Sequence, residues 1–248
     1  MNSSSTVLFF DLDDTLFDRS HSILAGLEAV KAAQPSLAEF GIERLEYVYR
    51  KKVDLKFKHH LGRVAERSDA WSERLRQVFT KLDVPAPSNE ELKTLLEIYD
   101  AAYKASRQAT HTTIQTLEQL KNKGFRLALI TNGEHETQAE KAKAIGVSHL
   151  FEEIISSEAA GHSKPDEEIF EYALKRMGGA NPLKCVMIGN DVVKDMLGGF
   201  AANMQIIWYD PRAPEPEIIF LFGSSRPIPV ITKMHQIIGY LKNLGYCT

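Results

Sequence analysis

From Ser20 to Ala109, roughly ninety residues, the chain carries no run with strand character, a length far beyond an ordinary connection between elements. Helical periodicity takes its place: Ile23, Leu24, Leu27 and Val30 in one segment, then Leu45, Tyr49, Val53, Phe57 and Leu61 at four-residue steps. Further helices are expected over 72–82 and 90–106, parted by Val84-Pro85-Ala86-Pro87-Ser88-Asn89, where Ser88 or Asn89 can cap the second. Before this stretch stands one apolar run, Val7-Leu8-Phe9-Phe10, which reads as a buried strand. After it, buried strands at 125–130, 153–155, 185–188 and 205–208 alternate with helices at 134–145, 167–177 and 192–202. Such alternation implies a parallel sheet with right-handed crossovers. The fold class is therefore α/β, a doubly wound parallel sheet of Rossmann-like kind with an all-α insert. Residues 1–17 and 107–248 form the core and 18–106 the helical cap. The segment 210–229 holds five of the ten prolines and reads as a loop-rich wrap before a last helix near 234–243.

In a parallel α/β sheet, ligands bind beyond the carboxyl ends of the strands. The first strand ends in Asp11-Leu12-Asp13-Asp14-Thr15. On an extended backbone Asp11 and Asp13 leave the same face, and carboxylates that close repel unless a metal or a proton intervenes. The pair suits a nucleophile beside a general acid/base. The second strand ends in Thr131-Asn132-Gly133, the third leads to Lys164-Pro165, and the fourth ends in Gly189-Asn190-Asp191 with Asp195 four residues on. A hydroxyl, free backbone N–H groups, a lysine and two sets of carboxylates on one rim meet the needs of metal-assisted phosphoryl transfer.

Asp11-x-Asp13-x-Thr15, Thr131-Asn132-Gly133, Lys164-Pro165 and Gly189-Asn190-Asp191 with Asp195 resemble, in order, the four motifs of the haloacid dehalogenase superfamily of phosphohydrolases. The helical insert resembles the family's cap. The wording from Thr131 to Glu158 and from Lys164 to Leu174 is similar to the branch of house-cleaning nucleotidases and N-acylneuraminate-9-phosphatases. The resemblance implies that Asp11 attacks phosphorus and becomes an aspartyl phosphate, and that Asp13 protonates the leaving oxygen and then deprotonates water. It implies that Thr131 and the backbone N–H of Asn132 hold phosphoryl oxygens while Lys164 neutralises phosphate and Asp11. Mg2+ is the implied cofactor, on Asp11, the Asp13 carbonyl and a fourth-motif residue. A spacing of three makes that residue Asp191, with Asp195 orienting Lys164; a spacing of four makes it Asn190. Asp191 is preferred because a charged oxygen holds a hard cation better than an amide. Thr15 supports the site.

Asp18, Arg19 and His21 stand where core hands over to cap, and they and His162 are candidate substrate contacts. Asp14 is read as a turn residue. Arg50, Lys51, Lys52, Lys56, Lys58, Arg63 and Arg67 read as a solvated helix face that could also recruit an anionic substrate, and His59-His60 lacks partners at ligand spacing.

Thirty basic and thirty-three acidic residues, a formal charge of -3, speak against a nucleic-acid partner. Two cysteines make no disulfide framework, the opening MNSSST lacks a basic start and apolar core, and no apolar run approaches membrane-spanning length. The expectation is a cytoplasmic, Mg2+-dependent phosphatase of small phosphomonoesters, nucleoside monophosphates first and sugar phosphates second, without a membrane partner. The alternatives are a phosphomutase on the same core, a carbon–halogen hydrolase and a catalytically silent binding or regulatory protein.

Overall fold

The computed structural model describes residues 6–50, 67–220, 223, 226–243 and 245–246, with side chains described from residue 72 onward in the second of these stretches. The chain divides into two compact units, Met1–Asp18 with Gln108–Thr248, and Arg19–Arg107.

Strand β1, Val7–Phe10, is buried at every position, as an apolar run flanked on both faces by helices must be. The helical unit follows with α1 (Arg19–Ala33), α2 (Ile42–Arg50), α3 (Arg67–Leu82) and α4 (Asn89–Ala105). Ser88 accepts from the Glu91 N–H while the Glu91 carboxylate accepts from the Ser88 N–H. This capping box satisfies two donors that the helix start leaves open, and the backbone and side chain of Ser88 hold the Glu91 carboxyl below its ordinary pKa. Gly26 of α1 lies so close to α4 that a Cβ there would come within 2.6 Å of the Tyr99 ring. Tyr99 in turn packs on Tyr49 and Tyr103 at ring separations of 5.5 and 6.0 Å. The helical expectations at Val53, Phe57 and Leu61, the basic residues Lys51, Lys52, Lys56, Lys58 and Arg63, and His59-His60 lie outside the described residues.

The chain re-enters the core through α5 (Thr113–Asn122) and continues β2 (Arg126–Thr131), α6 (His135–Ala144), β3 (Glu153–Ser156), α7 (Ser157–Ala160), α8 (Glu167–Arg176) and β4 (Cys185–Gly189). A π-helical turn over Val192–Leu197 leads into α9 (Gly198–Ala201), β5 (Gln205–Tyr209), β6 (Glu217–Ile219), β7 (Ile228–Ile231) and α10 (Gln236–Asn243). The sheet order is β3-β2-β1-β4-β5-β7-β6, parallel throughout except for β6 against β7. Successive strands run outward from β1 to β3 on one side and from β4 to β5 on the other. The order therefore reverses between β1 and β4, and this is where a crevice opens at the carboxyl ends of a doubly wound sheet.

Two expectations need correction. The wrap over 210–229 contains strand β6 and the start of β7, with Ile218 opposite Pro229. Prolines obscured the pattern because they cannot donate to a ladder, and β5 pairs with β7 only from Val230 onward. The helix expected over 192–202 is α-helical only at its end, since its first six residues take the wider π turn. Among the described residues no helix is long and apolar enough to cross a membrane.

Candidate active site

Asp11 sits one residue past β1, with its N–H bonded to the Ile188 carbonyl of β4 at 2.9 Å. The turn behind it is tight: the N–H groups of Leu16 and Phe17 both reach the Leu12 carbonyl, and Asp14 adopts a φ of 62°. Aspartate is among the few residues that enter this left-handed region readily, in keeping with Asp14 as a turn residue. Thr15, fully buried, donates to Asp11 Oδ2 at 3.0 Å and lies 3.3 Å from Asn190 Oδ1. The hydroxyl of Thr110 ties this turn to the returning chain by donating to the Thr15 carbonyl at 2.8 Å.

The Lys164 ammonium donates to Asp11 Oδ1 at 2.7 Å and to Asp195 Oδ1 at 2.6 Å. The Lys164 and Asp195 side chains are each 1% exposed, so this is a buried triad of two carboxylates and one cation. Burial pushes the Asp11 carboxyl up to about 7, the Asp195 charge adds to that rise, and Lys164 offsets only part of it. For Lys164, burial works against the charged form, but the two carboxylates prevail and raise its pKa, so it stays an ammonium. One negative charge in the triad is left to be balanced by a proton or a cation.

Thr131, at the end of β2, is 1% exposed. Asn132 clamps the lysine segment: its Nδ2 donates to the Lys164 carbonyl at 2.9 Å and its Oδ1 accepts from the Lys164 N–H at 2.8 Å. That leaves the N–H of Asn132, rather than its side chain, for a ligand. Gly133 has a φ of 140° and lies under the Gln138 side chain, where a Cβ would collide with the amide. Its N–H donates to Ser157 Oγ at 2.8 Å, which joins the loop to the start of α7.

The fourth strand end distributes its acids unexpectedly. The Asp191 carboxylate accepts from the N–H groups of Val193 and Lys194 at 3.0 and 2.9 Å and pairs with the Lys194 ammonium at 2.8 Å. Although partial burial works to raise its pKa, Lys194 holds the Asp191 carboxyl below its ordinary range. Asp191 thus caps its own helix, while the Asn190 amide oxygen accepts from the Thr15 hydroxyl that also donates to Asp11. Charge alone favours Asp191 over Asn190 as a ligand, but an aspartate at a helix start is also drawn to the orphan N–H groups there. The π-helical turn brings Asp195 back under β4, where its Oδ2 accepts from the Asp191 N–H at 3.0 Å. Gly189 makes room for it, since a Cβ there would run into the Asp195 carboxyl.

Asp13 forms an ion pair with Lys141, 2.7 and 2.9 Å from its two oxygens. Sequence reasoning passed over Lys141 and Gln138, both buried. The signal was available: positions 138, 141, 142 and 145 form one stripe at helical spacing, and polar groups on a core-facing stripe need partners. Asp18 ends the core unit and accepts from Gln108 Nε2 at 3.3 Å. Arg19 and His21 belong to α1 of the helical unit. His162 is exposed on the loop before Lys164.

Sheet order and site together define a Rossmann-like α/β protein with a buried carboxylate–lysine cluster at the switch point beyond β1. More particularly, the chain belongs to the haloacid dehalogenase-like hydrolase family, whose model matches residues 6–203. It is 32% identical over 236 residues to a glyceraldehyde 3-phosphate phosphatase of Methanothermobacter thermautotrophicus, covering 93% of this chain and 96% of that one. It is 26% identical to a ribulose-1,5-bisphosphate 5-phosphatase of Halopiger xanaduensis, covering 84% of this chain and 85% of the relative. In fold it is similar to a magnesium-bound HAD-hydrolase, YfnB, of Bacillus subtilis, with a TM-score of 0.71, 21% identity, and coverage of 95% of this chain and 98% of that one.

Proposed function

We propose that the chain is a Mg2+-dependent phosphomonoester hydrolase working through an aspartyl phosphate on Asp11. Its substrates are phosphorylated sugars and three-carbon phosphates ahead of nucleoside monophosphates. The observation that carries this is the buried Asp11–Lys164–Asp195 triad beside the Thr131-Asn132-Gly133 loop. It presents a carboxylate oxygen and a fixed cation on a rim where phosphoryl oxygens find a hydroxyl and main-chain donors. The order of substrates rests on the two phosphatase relatives, both named for small sugar phosphates, and it departs from the nucleotidase branch that the wording of the motifs suggested.

In this reading Asp11 attacks phosphorus, and Asp13 gives a proton to the leaving oxygen and later takes one from the hydrolytic water. Thr131 and the Asn132 N–H hold phosphoryl oxygens. Lys164 balances charge, and Asp195 keeps Lys164 in place. The helical unit Arg19–Arg107 is the cap that selects the ester. The residues fit a hard cation: the triad has one negative charge in excess, and Asp11, the Asp13 carbonyl and the Asn190 amide offer oxygen only. Among the described residues no three His, Cys, Asp or Glu side chains gather into a metal cluster, so water and the substrate phosphate would complete the shell. When bound, Mg2+ would neutralise charge on Asp11 and the phosphate.

Two measurements test this. Phosphate release from triose phosphates, pentose phosphates and nucleoside monophosphates, with Mg2+ and with chelator, should show metal-dependent turnover highest on the sugar phosphates. Nucleotides turning over fastest would overturn the substrate order, and activity that requires a bisphosphate activator would replace hydrolysis with a mutase. In thermal melts, Mg2+ should raise the Tm more at about pH 8 than at about pH 5.5, since a proton competes for Asp11 below about 7. The increment should vanish in Asp11→Asn. An equal increment at both pH values, or in the variant, would remove Asp11 from the metal site.

A further inference from the structure

Lys141 lies on the second turn of α6 and is 4% exposed, yet its ammonium reaches Asp13, 128 positions away in sequence, and contacts both carboxylate oxygens. An ammonium taken out of water without a partner costs several kcal/mol, so Lys141 requires the Asp13 carboxyl to stand where it does. Asp13 is under the weaker constraint of the two, with 28% of its side chain exposed. The same ammonium lies 5.7 Å from the centre of the Phe17 ring, which closes the turn behind Asp11. One turn earlier, Gln138 Nε2 donates to the Asn132 carbonyl at 3.1 Å, passing over Gly133 where only a missing Cβ leaves space. A single helix face thus grips both the turn that bears Asp13 and the loop that ends β2.

We propose that Lys141 is the positioning residue for Asp13, fixing the carboxyl that serves the leaving oxygen; the inference rests on the phosphatase reading above. In the first step the bond from phosphorus to Asp11 forms, the bond to the leaving oxygen breaks, and the Asp13 proton goes to that oxygen. In the second, water gives a proton to Asp13 and displaces the Asp11 carboxylate from phosphorus. Lys141 gives up no proton in either step. It holds the carboxyl against rotation, and each carboxylate oxygen keeps a second lone-pair direction for the substrate.

The distinguishing readout is the leaving group. An alkoxide cannot depart without a proton, whereas 4-nitrophenolate can. Lys141→Met should therefore lower kcat/KM for the best sugar phosphate about a hundredfold, while 4-nitrophenyl phosphate loses less than about threefold. Asp13→Asn should show the same split, and Lys141→Arg should recover part of the loss. Should Lys141→Met fail to fold in thermal melts, Lys141→Gln, which keeps a donor and drops the charge, is read in its place. Equal losses on both esters, or no loss, would overturn the positioning role. Wild-type turnover no faster than Asp11→Asn would overturn the phosphatase reading, and this inference with it.

Discussion

Asp11→Asn is expected to reduce turnover of every phosphomonoester the wild-type enzyme hydrolyses by more than about a thousandfold. The amide is nearly the same shape: its oxygen can still accept from Lys164, and its NH2 can donate to the Thr15 hydroxyl, so the turn behind β1 stays bonded. What is lost is the anionic oxygen that, in the proposed mechanism, attacks phosphorus. The fold should not suffer. Burial has already driven the Asp11 carboxyl up to about 7, and with a neutral amide in its place the remaining Lys164–Asp195 pair is balanced in charge. The variant should thus melt, without metal at neutral pH, no lower than wild type. Steady-state phosphate release and a thermal melt check both halves. Retention of more than about a tenth of the activity would exclude Asp11 as nucleophile.

Lys164→Met should be the most damaging single change to stability. Two carboxylates, one of them 1% exposed, would lose the cation they share. Removing one partner from a buried ionic group costs about 3–5 kcal/mol, a large part of the stability of an ordinary domain. The pH dependence follows from the same groups. The Lys164 pKa is raised, so its contribution is complete below its ordinary value of 10.5 and is lost only as pH rises through the still higher folded value. Asp11 moves the opposite way in consequence: its folded pKa of about 7 exceeds the ordinary 3.8, so the unfolded chain releases this proton first. Metal-free stability therefore declines as pH rises between those two values. Without Lys164 the Asp11 charge loses its compensation, and the loss in the variant should be greater at about pH 8 than at about pH 5. Adding Asp195→Asn to Lys164→Met should recover part of it, since one stranded carboxylate is gone. Urea denaturation of wild type, both single variants and the double variant supplies the cycle. A loss below about 1 kcal/mol at the higher pH would mean that water reaches the triad.

Much of this protein was legible in its sequence because the relevant patterns are local. The apolar run Val7–Phe10, the alternation after Phe125 and the strand-free stretch between them required a doubly wound core with a helical insert. The carboxyl ends of those strands carried Asp11, Asp13, Thr131, Lys164 and Asp195, and a parallel sheet can only gather such ends on one rim. Strands β6 and β7 were hidden because prolines 227 and 229 remove ladder donors and pairing across a sheet edge leaves no periodic mark. The fourth strand end was ambiguous for a different reason. Asn190, Asp191 and Asp195 are all competent oxygens in sequence, and what separates them is where the chain turns after β4. The π-helical turn sends Asp195 to Lys164, the helix start claims Asp191, and Asn190 is left to accept from Thr15. Lys141 shows the same limit. Its place on a core-facing stripe could be read from spacing, but its partner stands 128 residues away. Sequence by itself determined which chemical groups the strand ends carry. Tertiary structure alone decided which of them meet, because buried charges must be paired and the pairs here are formed between segments that only the folded sheet brings together.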